Sequence, residues 1–491
     1  MSHSKPSRLY AESLSLLTDL YQMTMAYGYW KNQMVETEAI FHLFFRRPPF
    51  NGGFTIAAGL EQVIDYIQHF HFDETDLAYL ETLKGGDDQP YFPTEFLDYL
   101  SKLRFEGDID AVPEGTVVFP QEPLVRVKGP IIQCQILETP LLNLINFASL
   151  IATKSARVSL AAQGGEVLEF GLRRAQGIDG ALTAARSAYI GGADATSNVL
   201  AGKLYGIPVK GTHSHSWVMA FEDEEESFRA FAKAMPNNCV FLVDTYDTIQ
   251  GVKNAIKVGK WLEDQGKKML GIRLDSGDLA YLSIESRRML DEAGLDYAKI
   301  VASNELEEEV ITDLKNQGAK IDIWGVGTNL ITAKDQPALD GVYKLSAIRE
   351  PGQEWSHRIK LSEQMRKVSN PGILQVRRFY DDQGCKADAI YNIQDTGKIA
   401  NWEIIDPFDA TRHKRIDPSW KHHDLLEPIF REGNCVYTSP SLKEIRQNTR
   451  NSLSSFHSGI KRFRNPHQYV VGMERNLYNK KIELIHELRE E

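Results

Sequence analysis

Cysteine is scarce, with four in 491 residues, at Cys134, Cys239, Cys385 and Cys435. They stand too far apart for a CxxC metal site and are too few for a disulfide scaffold, so a reducing, cytoplasmic setting is expected. Excess positive charge is missing as well. With 56 Lys and Arg against 67 Asp and Glu, the formal charge is −11, which argues against a nucleic-acid partner held through phosphate neutralisation. No run of about 18 consecutive apolar residues occurs, so no membrane-crossing helix is expected. The amino-terminal stretch carries Glu12 and Asp19 and no apolar core before a cleavage site, unlike a secretory signal. GxxxxGKS/T, GxSxG and GxGxxG are all absent, which disfavours P-loop, α/β-hydrolase and Rossmann chemistry.

What is present is globular in balance, 42% hydrophobic and 25% charged, and at roughly 150 residues per domain the length predicts about two to four domains. Leu14 to Met25 has apolar residues at helical intervals, with Thr18 or Asp19 as cap. Glu38 to Phe45 reads as a strand, and shorter strand-like runs follow at 107–112, 116–119 and 124–127. This predicts an α+β domain over 1–135. A helix at 141–161 then leads into a regular alternation of apolar runs, polar clusters and amphipathic stretches. The runs are 167–170, 188–190, 207–209, 240–243, 269–272, 299–302, 321–324 and 342–345. Strands alternating with helices pair in parallel through right-handed crossovers, and eight such units close a barrel. The fold class expected is therefore α/β, an irregular (β/α)8-like barrel over 136–347. Residues 348–491, with a hairpin near 372–384 and a charged tail of helical pattern, form a C-terminal extension that packs on the first domain or makes a third.

In such a barrel, residues following the strands converge on one mouth. Here they form polar clusters: Arg173-Arg174, Asp194 to Asn198, Thr212-His213-Ser214-His215, Asp244 to Thr248, Arg273-Leu274-Asp275-Ser276-Gly277-Asp278, Ser303-Asn304 and Gly327-Thr328. Singly they have plain readings, Ser303-Asn304 as a helix cap and the glycines as a tight turn. Jointly they point to an active site. Glycine N–H groups with the Thr328 hydroxyl make an anion cradle, Asp244, Asp275 and Asp278 suit Mg²⁺ or ribose hydroxyls, and Arg173, Arg174 and Arg273 suit an acidic substrate. That set suggests a phosphorylated sugar with a metal. A zinc reading of His213 and His215 would need Asp194 or Asp244 as third ligand.

In order along the chain, Thr18 to Met25, Phe170-Gly171-Leu172-Arg173-Arg174-Ala175-Gln176-Gly177, Gly191 to Gly202, Arg273 to Leu279, Gly325 to Leu330, and Asn465 to Gly472 resemble the nicotinate phosphoribosyltransferase family over nearly the whole length. The resemblance implies the type II phosphoribosyltransferase architecture, a homodimer with shared active sites, and a place in NAD biosynthesis. It also implies transfer of 5-phosphoribosyl 1-diphosphate onto nicotinate, with Mg²⁺ as cofactor and ATP as co-substrate. By the same resemblance, Tyr21 reaches a neighbouring subunit's pocket and Arg173 stacks on the opposite pyridine face. Thr212 and Arg273 contact nicotinate, while Asp194 lies in a motif shared with the nicotinamide-using relatives and is taken as substrate-binding. Asp275 and Asp278 serve ribose and metal, Asp244 is a second metal candidate, Ser303, Gly327 and Thr328 cradle phosphate, and His215 is phosphorylated. His213 stands so close that it competes for that role. Two rivals stay open: the nicotinamide-using relative, and a catalytically silent binder of phosphorylated metabolites.

Overall fold

The computed structural model describes residues 14–395 and 402–490. Two compact units emerge, Met1–Leu150 with Ala338–Glu491, and Ile151–Pro337.

In the first unit the helix Leu20–Lys31 starts at Asp19, whose N–H donates to Gln22 Oε1 at 2.8 Å, the reciprocal arrangement that satisfies orphan donors at a helix start. The strand Glu38–Phe45, buried along nearly all its length, lies within a seven-stranded sheet. It pairs antiparallel with Val125–Pro130 on one side and with Gly341–Arg349 on the other. The run 342–345, expected as the last barrel strand, therefore belongs to this sheet and not to the barrel. Its composition explains the correction: Tyr343 is buried and stacks on Phe41 at 4.9 Å while Lys344 is not, the one-sided burial of an antiparallel strand. The hairpin Leu374–Asp381 and Gly384–Asn392 is central to a second, six-stranded sheet. The tail is less helical than its pattern, because Val471–Glu474 adds a strand to that sheet between the helices Leu442–Ser454 and Arg475–Glu490. One stretch of helix, Ile131–Ala162, is long and apolar enough by composition to cross a membrane, yet it is 61% buried, as a core helix is.

The second unit is built on a parallel sheet in the spatial order Ala195–Thr196, Glu166–Glu169, Ile323–Val326, Lys299–Ala302, Gly271–Leu274 and Val240–Leu242. A single parallel bridge from Val209 to Thr196 extends the first edge. Five expected runs form strands here, and two do not. Residues 188–190 lie inside the helix Gly177–Gly191, because an apolar triplet preceded by Ala181, Ala184 and Ala185 continues a helical stripe. The true second strand, Ala195–Thr196, lies in what reads as a polar cluster, too short to show any period. The run 207–209 yields only the bridge, since Pro208 has no N–H for a ladder.

Behind the sheet, Glu308 begins the helix Glu308–Asn316 and is buried with two cations from the helix Glu138–Ala162. Lys154 Nζ lies 2.7 Å and Arg157 Nε 2.6 Å from its carboxylate. Burial pushes the Glu308 carboxyl up, but Lys154 and Arg157 outweigh it and hold it below the ordinary value. Its stabilising contribution is thus complete above the unfolded carboxylate range and lost as pH falls through the folded value. Replacing Glu308 by Ala removes the buried carboxylate that both cations share and should cost about 3–5 kcal/mol in denaturant unfolding; a loss under about 1 kcal/mol, the range of an exposed pair, would contradict the clasp.

Candidate active site

The strand Gly271–Leu274 places Arg273 where its guanidinium meets Asp275 of its own segment and two other segments of the second unit. Nε donates to Ser303 Oγ at 2.8 Å, Nη1 to Thr212 Oγ1 at 3.0 Å, and Nη2 to Asp275 Oδ1 at 2.8 Å. Ser303 Oγ in turn donates to the same Asp275 oxygen. Four residues from three clusters, 30 and 61 positions from Arg273 for the two distant ones, thus form one network. Guanidinium has five N–H donors in a rigid fork, so two remain for a ligand, one on each terminal nitrogen. That is the geometry that grips a carboxylate bidentately.

Asp275 is held ionised despite its burial. Burial pushes its carboxyl up, but the Ser303 hydroxyl and Arg273 more than offset that and keep it below the usual range. Its second oxygen lies 3.6 Å from His215 Nε2, while His215 Nδ1 is 3.1 Å from Thr245 Oγ1. His215 is 40% exposed in its side chain.

His213 has a different environment. It is 8% exposed, packed on Phe231 at 4.9 Å and Phe228 at 6.1 Å, and Nε2 accepts the Leu242 N–H at 3.3 Å. Burial, with the neighbouring charge of Arg273, pushes its imidazole down to about 4, so it is neutral at physiological pH. Alternate positions do not share a face here, because the chain leaves strand geometry after Val209 and enters the helix His215–Met219. The zinc reading fails on the same grounds: His213 is occupied by backbone, and the Asp194 carboxylate accepts the Val167 N–H at 2.9 Å.

The other expected site residues fall around this network unequally. Asp244 lies in it, its Oδ2 accepting the Asp275 N–H at 2.8 Å and the Ser276 hydroxyl at 2.6 Å. Asp278 caps the helix Leu279–Glu292 through the Tyr281 N–H and is exposed. Arg173 is exposed on the short turn Leu172–Arg174. Ser303 lies in the network, its hydroxyl bonded to Arg273 and Asp275. Gly327 and Thr328 open the turn Thr328–Ile331 after the strand Ile323–Val326. Tyr21 belongs to the first unit, 47% exposed on its helix.

Sequence reasoning missed Phe170 and Glu169 as site residues. Phe170 stands at the end of the strand Glu166–Glu169, its ring 5.9 Å from the Arg273 guanidinium carbon. Gly325 makes room for it, since a Cβ there would lie 2.8 Å from the ring. Glu169 is buried, accepting the Thr196 hydroxyl at 2.6 Å and the Gly171 N–H, and burial pushes its carboxyl up. An acid inside an apolar strand run was the available signal for it. A cavity of about 550 Å³ lies elsewhere, in the first unit, between His357, Asn392, Asp395 and Lys480; it contains none of these residues.

For a divalent ion, no cluster of three or more His, Cys, Asp or Glu able to hold a metal is found among the described residues. One observation still fits Mg²⁺: Asp244 Oδ1 is buried without a hydrogen-bond partner, on a side chain whose other oxygen accepts the Asp275 N–H. A small cation that keeps water and takes substrate phosphates needs only one or two carboxylates.

Known proteins similar to this chain cover nearly its whole length. Residues 16–146 match the nicotinate phosphoribosyltransferase (NAPRTase) N-terminal domain, 166–356 the NAPRTase family, and 374–481 the NAPRTase C-terminal domain. A nicotinate phosphoribosyltransferase of Bacillus subtilis is 43% identical over 97% of this chain and 96% of its own; that of Homo sapiens is 35% identical over 95% and 96%. The crystal structure of human nicotinic acid phosphoribosyltransferase superposes with a TM-score of 0.83 at 32% identity, covering 95% of this chain and 99% of that one. A nicotinate-nucleotide pyrophosphorylase from Pyrococcus furiosus shares the fold, at 23% identity and a TM-score of 0.68. With the likeness running through both units and along nearly the entire length, the chain belongs to the nicotinate phosphoribosyltransferase family.

Proposed function

We propose that this protein joins nicotinate to 5-phosphoribosyl 1-diphosphate, releasing diphosphate and nicotinate mononucleotide for NAD synthesis, with ATP hydrolysis coupled to the transfer. The observation that carries this reading is the pair of uncommitted N–H groups on Arg273, held in a fixed plane beside the Phe170 ring. A flat ring bearing a carboxylate fits both at once. Nicotinamide, which has no carboxylate, would leave the two remaining N–H groups of Arg273 without an anionic acceptor, and this favours the acid over the amide.

The pyridine nitrogen of nicotinate is unprotonated near neutral pH, so no general base is required. Its lone pair forms the new bond to ribose C1 as the C1–diphosphate bond breaks, and the sugar passes through a cation-like state. The chain supplies orientation: Arg273 fixes the carboxylate, Phe170 packs on the ring, and the ionised Asp275 faces the developing positive charge. Exposed Arg173 sits on the adjoining turn, where it suits the diphosphate or the open face of the ring. Asp194 stays a candidate substrate contact, and Asp278 with the Gly327-Thr328 turn are candidates for the ribose hydroxyls and phosphate. Asp244 and Asp275 would hold Mg²⁺, which when bound neutralises charge on the leaving diphosphate.

His215 is the proposed phosphoryl acceptor. Its Nε2 lone pair attacks the γ-phosphorus of ATP, the bond to ADP breaks, and water later cleaves the phosphoimidazole. Its exposure and the Thr245 contact at Nδ1 support this role over His213. Tyr21, exposed beside Leu17, Leu20 and Met25, supports a homodimer in which it completes the partner's site. Four unpaired cysteines support a cytoplasmic location.

Replacing His215 by Ala should abolish ATP hydrolysis and incorporation of labelled γ-phosphate; undiminished labelling would move the role elsewhere. Replacing Arg273 by Ala should lower kcat/KM for nicotinate by about 3–5 kcal/mol in transition-state stabilisation, and a change under about tenfold would contradict the carboxylate contact. Mixing the Arg273→Ala and Tyr21→Ala proteins should then restore part of the activity, whereas no recovery in verified mixed dimers would confine the site to one chain.

A further inference from the structure

The parallel sheet of the second unit has two free edges, the Val209 bridge and the strand Val240–Leu242. Successive N–H groups of a strand point to opposite sides. Val243 donates to Arg273 O at 3.2 Å, inward to the neighbouring strand. The Leu242 N–H therefore points outward, where a closed barrel would supply another strand. What meets it is the imidazole of His213, whose Nε2 accepts at 3.3 Å while Nδ1 lies 3.3 Å from Ser214 O. The ring is wedged against Phe231, and Phe228 behind it stacks on Phe241 of the edge strand at 4.9 Å.

Both neighbours of this side chain reach the active network. Thr212, one residue before, receives the Arg273 Nη1 hydrogen bond, and His215, two residues after, meets Thr245 just beyond the same edge strand. We infer that His213 is a positioning residue: it takes the place of a missing strand at the seam of the sheet, and so sets the register of the Thr212–His215 segment against the segment carrying Asp244 and Thr245. It touches no reacting atom in this account. Without the hydrogen bond the 210–216 segment keeps its covalent path but loses the lateral anchor that aligns Thr212 with Arg273 and His215 with Thr245. The inference rests on the reading of His215 and Arg273 given above for its kinetic part alone; the backbone anchor stands independently of it.

The acceptor is Nε2, and in side-chain length a glutamine carbonyl reaches that position whereas an asparagine carbonyl reaches only that of Nδ1. Three variants, His213→Gln, His213→Asn and His213→Phe, separate the hydrogen bond from the packing. Hydrogen exchange at the Leu242 amide should quicken by about tenfold or more in the Asn and Phe variants, the scale of one buried hydrogen bond lost, and stay near the wild-type rate in the Gln variant. In parallel, kcat/KM for nicotinate and phosphate labelling of His215 should both fall by about tenfold or more in Asn and Phe and largely recover in Gln, at thermal midpoints close to wild type. Wild-type exchange at Leu242 in the Asn and Phe variants would overturn the anchor, whatever the activity. Faster exchange with unchanged labelling and kcat/KM would overturn the positioning role. If the Phe variant does not fold, the contrast between Gln and Asn decides alone. A wild-type protein that makes no nicotinate mononucleotide would refute the proposed function, and the exchange experiment would still judge the seam.

Discussion

One guanidinium group organises the second unit of this protein. Arg273 bonds to Thr212, Asp275 and Ser303, and so ties its own segment to two others of the second unit. A lysine could not do this, being a single point of charge on a flexible stem, whereas the planar fork fixes three directions at once. The fork also has more donors than the protein fills. The binding capacity of the site is thus what remains after the protein has tied its own loops together, so architecture and recognition share one side chain.

Charge follows from the same arrangement. Asp275 offsets its burial through the Ser303 hydroxyl and Arg273, which keep it ionised. His215 stands near the outer oxygen of that carboxylate, and Asp244, bonded to the Asp275 backbone and to Ser276, leaves one buried oxygen unmatched. Cation and anion thereby share one set of hydrogen bonds, with the imidazole 3.6 Å from the anion's outer oxygen. The buried Glu308 clasp steadies the start of the helix that follows the Ser303 segment.

Much of this was legible from residue order. The runs at 240–243, 269–272, 299–302 and 321–324 are apolar on both faces and bounded by polar clusters, and they became strands because buried parallel strands look like that. Arg273, Asp275 and Ser303 were nameable because they follow such runs, and Thr212 because it follows the run 207–209, which gives only a bridge. The illegible part has two physical sources. Two-residue strands such as Ala195–Thr196 carry no periodicity, and an apolar triplet at 188–190 is the same string in a helix or a strand. The other source is tertiary. Nothing local distinguishes His213 from His215, and only the packing against Phe228 and Phe231, with the Leu242 amide, turns one inward. Phe170 likewise reads as one more strand residue until Gly325 on the next strand leaves space for its ring beside Arg273.

The most direct measurement is a crystal structure of the protein with nicotinate and 5-phosphoribosyl 1-diphosphate bound in the presence of Mg²⁺. The account predicts a nicotinate carboxylate on the two free N–H groups of Arg273, its ring against Phe170, and the existing bonds from Arg273 to Thr212, Ser303 and Asp275 retained. A nicotinate bound with its carboxylate away from Arg273, or an Arg273 that releases those three partners on binding, would contradict it.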